Sequence, residues 1–179
     1  MDKTKKLVLL VISVFIGITV LGVSIAYFIA SAQSDEYTVT SGDYTITYEE
    51  GSTINASTLY PGEESSAIQY PFTVTNSSIA SSNYTIKLNK TSSYAFANMK
   101  WKLYNATKSS SGTYTQGTLA SSGDFNFSGT NSILSNTMTK GQSKSYILKV
   151  WLQDTYANQN ADQGQTLTAQ IIVEGTSNE

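Results

Sequence analysis

The chain has 179 residues, 40% of them hydrophobic and only 13% charged, with a formal net charge of −2. That charged share is about half the usual one for a soluble domain, so Ser, Thr, Asn, Gln and Tyr must build the polar surface, a palette suited to an extracellular protein. There is no Cys, His or Arg, which excludes disulfides, leaves zinc and copper without nitrogen or sulfur ligands, and rules out Ser-His-Asp or Cys-His catalysis.

The chain opens on "MDKTKK", a positive region with Lys3, Lys5 and Lys6. An uncharged run from Leu7 to Ala32 follows, 26 residues long. This exceeds the ~7–15 residues of a signal-peptide core and is long enough to span a bilayer. The flanking lysines predict a cytoplasmic N-terminus and an exported C-terminal part, so the membrane is a partner during export. Two small-x-small sites fit cleavage, one ending at Ala26 and the alternative at Ala32; retention as an anchor is the other reading. Beyond Ala26, eight Lys stand against twelve Asp and Glu, a net charge of −4. No basic surface remains for nucleic acid.

From Gln33 onward the pattern has period two. "DYTITYE" alternates Tyr44, Ile46 and Tyr48, and "IQYPFTVTN" alternates Tyr70, Phe72 and Val74. "NYTIKLN", "NMKWKLY", "SYILKVWLQ" and "QTLTAQIIVEG" continue the alternation. Weaker strands are expected over Thr113–Leu119, Phe125–Phe127 and Ile133–Thr139. Thr, Tyr, Val and Ile dominate these runs, and clusters of Gly, Ser and Asn separate them. Pro61-Gly62 reads as a tight turn, and Pro71 marks an edge or a strand start. Asp154–Gln165 is a polar loop. The expected fold is all-β: a single sandwich or jelly-roll domain over residues 41–179, after a leader at 1–26 and a short segment at 27–40.

Asn-x-Ser/Thr occurs at Asn55, Asn76, Asn83, Asn89, Asn105 and Asn126, six sites against about 3.5 expected from composition. Covalent glycans there would replace charge as the solubilising layer. The acidic pairs Asp35-Glu36, Glu49-Glu50 and Glu63-Glu64 read as solvated turn charges before they read as a weak calcium site. No carboxylate pair stands out as catalytic, and no cofactor is expected.

The order of features from Ala26 to Asn76 resembles the TasA and camelysin group of exported β-proteins. The matching residues are Ala26-Tyr27-Phe28 at the leader's end, Ser41-Gly42 opening a strand, the turn Leu59-Tyr60-Pro61-Gly62-Glu63, and Phe72-Thr73-Val74-Thr75-Asn76. "TLTAQIIVEG" is similar to the group's closing strand. Residues from about Asn89 to Lys140 carry no resemblance. The low charge and the many Asn-x-Ser/Thr sites are closest in character to archaeal bundling-pilus and thread-filament subunits. The resemblance implies a secreted, non-enzymatic subunit of an extracellular filament or biofilm matrix, whose partners are copies of itself. It implies donor-strand complementation, in which a segment freed by cleavage completes the sheet of a neighbour. On this sequence the cut after Ala26 then frees Tyr27, Phe28, Ile29, Ala30, Ser31 and Ala32, with Tyr37 and Val39 further along. The metalloprotease label carried by some camelysin relatives is not carried over, because the chain has no His. Two other readings remain: a type IV pilin-like subunit with residues 7–32 as core helix, whose usual processing site "KTKKLVLL" lacks, and a membrane-anchored β-domain that binds a surface glycan or S-layer.

Overall fold

The computed structural model describes residues 30–31, 37–41, 44–49, 53–57 and 59–177. The leader, both cleavage sites, Tyr27, Phe28, Ile29 and Ala32 lie outside the described residues.

The fold is all-β. Among the described residues twelve strands run β1 Ala30–Ser31, β2 Tyr37–Ser41, β3 Tyr44–Glu49, β4 Thr53–Ala56, β5 Pro61–Gly62, β6 Ile68–Asn76, β7 Ser82–Lys90, β8 Met99–Lys108, β9 Tyr114–Asp124, β10 Gly129–Met138, β11 Ser143–Gln153 and β12 Leu167–Ser177. They form two sheets. The larger has the order β2-β3-β6-β11-β8-β9, with β5 added on β11; the smaller has the order β1-β12-β7-β10, with β4 also on β12. Of the weak expectations, β9 and β10 both form and run longer than the alternation signalled. Phe125–Phe127 is not a strand. Phe125 is instead fully buried and stacks on Phe127 at 5.4 Å between centroids, so its apolar pair plugs the end of the core from a loop.

Alternation decides the layers. Phe72 and Val74 of β6, Leu103 of β8, and Tyr146, Leu148 and Val150 of β11 point inward from the larger sheet. Tyr84, Ile86 and Leu88 of β7, with Ala169, Ile171 and Val173 of β12, point inward from the smaller one and join the same core. Two sheets over one core are the arrangement of a β-sandwich. The chain crosses from sheet to sheet at β6–β7, β7–β8, β9–β10, β10–β11 and β11–β12. One end, here the lower, gathers Asn76, Ser82, Met138 and Ser143. The other gathers Lys90, Met99, Gly129 and Leu167.

Two features follow from local chemistry. Pro71 pairs with Ile147 of β11, while β3 reaches only Thr73–Asn76 of β6. Among the described residues the other side of Pro71 is therefore an open edge, where a residue without an N–H is tolerated. Asn76, which closes the Phe72-Thr73-Val74-Thr75-Asn76 run, is fully buried. Its Nδ2 donates to the carbonyls of Ala80 (2.9 Å), Met138 (3.1 Å) and Thr139 (3.2 Å). Its Oδ1 accepts from the Ser78 amide (3.1 Å) and hydroxyl (2.5 Å). One side chain thereby ties together the β6–β7 and β10–β11 crossings at the lower end.

Candidate functional site: the flank of β12 beside β1

β12 is paired very differently on its two sides. On one side β7 runs beside it without interruption, from Ala169↔Lys90 to Ser177↔Ser82. On the other, β4 covers Leu167–Gln170 and β1 covers Ile172 and Val173, with Ala30↔Val173 and Ser31↔Ile172. Among the described residues, Ile171 and Glu174–Ser177 have no strand on that flank.

The cause lies in the preceding run. β3 and β4 follow one another and point the same way, but β3 pairs with β2 and β6 in the larger sheet, whereas β4 pairs with β12 in the smaller. The switch falls between Glu49, the last residue of β3, and Thr53, the first of β4. A strand that changes sheets can cover only half of β12. The lower half is left over, and there the unpaired backbone and the inward edge of the core would face solvent, a costly combination.

The inner wall of this opening is apolar: Ile171 is fully buried and Val173 is 2% exposed. Gly175 continues the same inward face and meets Ile46 of β3, itself 7% exposed. A Cβ on Gly175 would lie 2.4 Å from Ile46 Cγ1, so only glycine lets the two sheets approach here. Neither residue stands out in the sequence as part of a site. The signal for Gly175 is a lone glycine inside an alternating strand, which marks a close approach.

The residues expected in the donor strand separate. Ala30 and Ser31 lie on β12. Tyr37 and Val39 do not; they pair with Tyr48 and Ile46 in the β2–β3 hairpin of the larger sheet. Their place is in the body of the domain, because the β2–β3 alternation already finds its partner within one hairpin.

In the turn motif, Leu59 is buried and its carbonyl accepts from Gly164 at 3.4 Å. Pro61 and Gly62 are extended and run parallel to Leu152 and Gln153 of β11. The reversal comes later than the expected Pro61-Gly62 turn, in a 3-10 turn at Glu64–Ser66, where the Ser66 amide and hydroxyl donate to the Glu63 carbonyl at 2.9 and 2.7 Å. Glu63 is exposed, but its neighbour is not the solvated charge the sequence implied. Glu64 accepts from Lys102 (2.5 Å) and Tyr104 (2.6 Å), with Lys149 at 3.5 Å. The bond to Lys102, then that to Tyr104, holds its carboxyl below the usual range. Among the described residues no group of three potential ligands could hold a metal, and no helix is long and apolar enough to cross a membrane.

Of the Asn-x-Ser/Thr sites, Asn55, Asn83, Asn105 and Asn126 are exposed and Asn89 is half-buried. Asn76 is the exception. Its Nδ2 is enclosed and fully engaged, so the folded domain has no room for a glycan there.

Comparisons with family models, with curated proteins and with solved structures give no match for this chain.

Proposed function

We propose that the chain is an exported structural subunit, without catalysis, that polymerises head-to-tail by donating its N-terminal segment to the open flank of β12 in the next copy. One observation carries this reading. The pair Ala30↔Val173 fixes a register, and continuing it sets Tyr27–Ala32 opposite Thr176–Ile171. That stretch lies within Ile171–Ser177, which β4 leaves uncovered, and a cut after Ala26 would free a segment that begins at Tyr27. In this register Phe28, Ala30 and Ala32 share the face of Gly175, Val173 and Ile171.

In the single chain, Ala30 and Ser31 occupy this flank themselves. Exchange replaces a contact within one copy by the same contact between copies, the ordinary route of domain swapping. Because donor and acceptor are different surfaces, the contact does not close on itself and propagates as a filament. The sheet-crossing connections support reading the sandwich as a jelly roll with one incomplete strand position. Such a subunit is secreted and lies in an extracellular filament or at the cell surface.

Sequencing the mature N-terminus tests the reading: Tyr27 is expected, Leu7 would indicate a pilin-type core helix, and an intact Met1 or Asp2 would indicate a retained anchor. A chain lacking residues 27–40 is expected to stay monomeric and to be less stable. If it still forms filaments, the donor lies elsewhere. The point variant Phe28→Ser is expected to leave the monomer folded, read by circular dichroism, and to stop filament growth, read by light scattering and electron microscopy.

A further inference from the structure

The geometry points to the outer face of the smaller sheet as a glycosylated face, bearing N-linked sugar at Asn55, Asn83 and Asn89, with Asn126 beside its upper rim, while Asn76 stays unmodified. This inference needs export but not strand exchange.

Three observations converge. First, period two sorts the sites. In β4 and β7 the residue between Asn and Ser/Thr points inward: Ala56 is fully buried, Tyr84 is 1% exposed and Lys90 8%. Each Asn therefore faces outward from the smaller sheet. Asn83 and Asn89 lie six residues apart on one strand, about 20 Å along it at roughly 3.3 Å per residue. Asn55 is two strands across, since Asn55 pairs with Thr168 and Gln170 pairs with Asn89.

Second, among the described side chains the atom that would carry the sugar has no hydrogen-bond partner. Asn83 Oδ1 accepts from the Thr137 hydroxyl at 2.7 Å, and Asn89 Oδ1 accepts from the Thr130 hydroxyl at 3.2 Å. Both bonds hold the amide by its oxygen and leave Nδ2 without a partner among the described residues. Asn55 and Asn126 are exposed and make no side-chain hydrogen bond there. The two other sites differ in this respect: Asn105 Nδ2 donates to the Thr118 hydroxyl at 3.0 Å, and Asn76 Nδ2 is enclosed by three carbonyls.

Third, the face lacks other protection. Its charges include Lys87 and Glu174, which neutralise each other at 2.5 Å. Around them lie hydroxyl and amide side chains, including Thr85 and Ser135, bonded at 3.0 Å. A face of amide and hydroxyl side chains around a neutralised ion pair carries little charge to keep it solvated, and a sugar layer would supply that solubility. Sugar at three points would cover it.

The co-substrate is an oligosaccharide carried on a polyprenyl phosphate or pyrophosphate. Nδ2 forms a bond to the anomeric carbon, the bond from that carbon to the phosphate oxygen breaks, the phosphate leaves with the electron pair, and the amide gives up one proton. An Asn-x-Ser/Thr site in an extended strand cannot fold back on its own hydroxyl, so transfer precedes folding. The fold then decides which sugars are tolerated.

The test is glycopeptide mass spectrometry of the full chain exported from a cell with an N-oligosaccharyltransferase. Occupied Asn55, Asn83, Asn89 and Asn126 and an unmodified Asn76 are expected in the folded protein. The double variant Asn83→Gln/Asn89→Gln should lose two glycans and keep its fold and its N-terminal cut. Sugar on Asn76 in folded protein, Asn83 and Asn89 bare while other sites carry sugar, or no sugar at any site would each overturn the assignment. Occupancy is read on monomer and polymer alike, so failure of strand exchange would leave this result intact, and the reverse also holds.

Discussion

β12 has two flanks, and they are built differently. The β7 side is a continuous antiparallel ladder whose inward residues, Tyr84, Ile86 and Leu88, are all essentially buried. The opposite side is patched by four residues of β4 and two of β1. A long ladder fixes its own register, because a slip of one residue would turn every core side chain outward. A two-residue strand is held by few contacts and contributes little free energy. Within one molecule, stability and exchangeability are thus assigned to opposite edges of the same strand.

The comparison breaks most visibly if the continuous flank is damaged. Leu88→Ala removes a fully buried side chain and is expected to cost about 2–5 kcal/mol, read from urea unfolding of the monomer. A loss below about 1 kcal/mol would mean that the core does not rest on the β7 ladder. Next comes Asn76→Ala. It leaves the carbonyls of Ala80, Met138 and Thr139 without this donor, and about 3 kcal/mol is expected from uncompensated burial. An exposed control, Asn105→Ala, should move the midpoint little.

Gly175→Ala tests the junction of the two flanks. The added Cβ would press on Ile46, and overpacking of this kind costs about 1–3 kcal/mol. Shortening the opposing side chain, in Gly175→Ala/Ile46→Ala, should recover part of the loss. Absence of any recovery would place the strain elsewhere.

The ladder side also carries a pH signature. Burial, then the bond to Tyr146, holds the Tyr84 phenol far above its ordinary range, and burial raises the Tyr146 phenol as well. In the unfolded chain tyrosine titrates near pH about 10. Above that pH the unfolded chain releases protons that the folded chain keeps. Stability present below about pH 10 is therefore lost as the pH rises. Urea midpoints on either side of this pH should show the fall, and Tyr84→Phe/Tyr146→Phe should flatten it.

Most of the framework was legible in the sequence because a half-buried strand writes its burial as alternation. β3, β6, β7, β8, β11 and β12 each carry that mark. The split of 44–56 between two sheets was not legible, since β3 and β4 look like any two strands parted by a Gly-Ser cluster, and pairing is decided by partners far away in the chain. The opening on β12 was hidden for the same reason. Asn76 read as one glycan site among six, and only burial separates it from Asn83. Glu64 read as a turn charge because its lysines come from β8 and β11, 38 and 85 positions onward.

The smallest expected effect is also the one that separates the flanks most cleanly. If β1 is only a loose occupant of its seat, a chain beginning at Gln33 should unfold within about 1 kcal/mol of the full domain, since an isolated two-residue pairing contributes little. It should nonetheless fail to donate to another copy, while still accepting the peptide Tyr27–Ala32 supplied in trans. Native-state hydrogen exchange gives the complementary reading on the intact domain. Amides of Ala30 and Ser31 should exchange close to the unprotected rate, whereas those of β7 should open only with global unfolding. Equal protection on both sides would mean that β1 is locked in place. The domain would then be complete by itself, with no thermodynamic reason to take a strand from its neighbour.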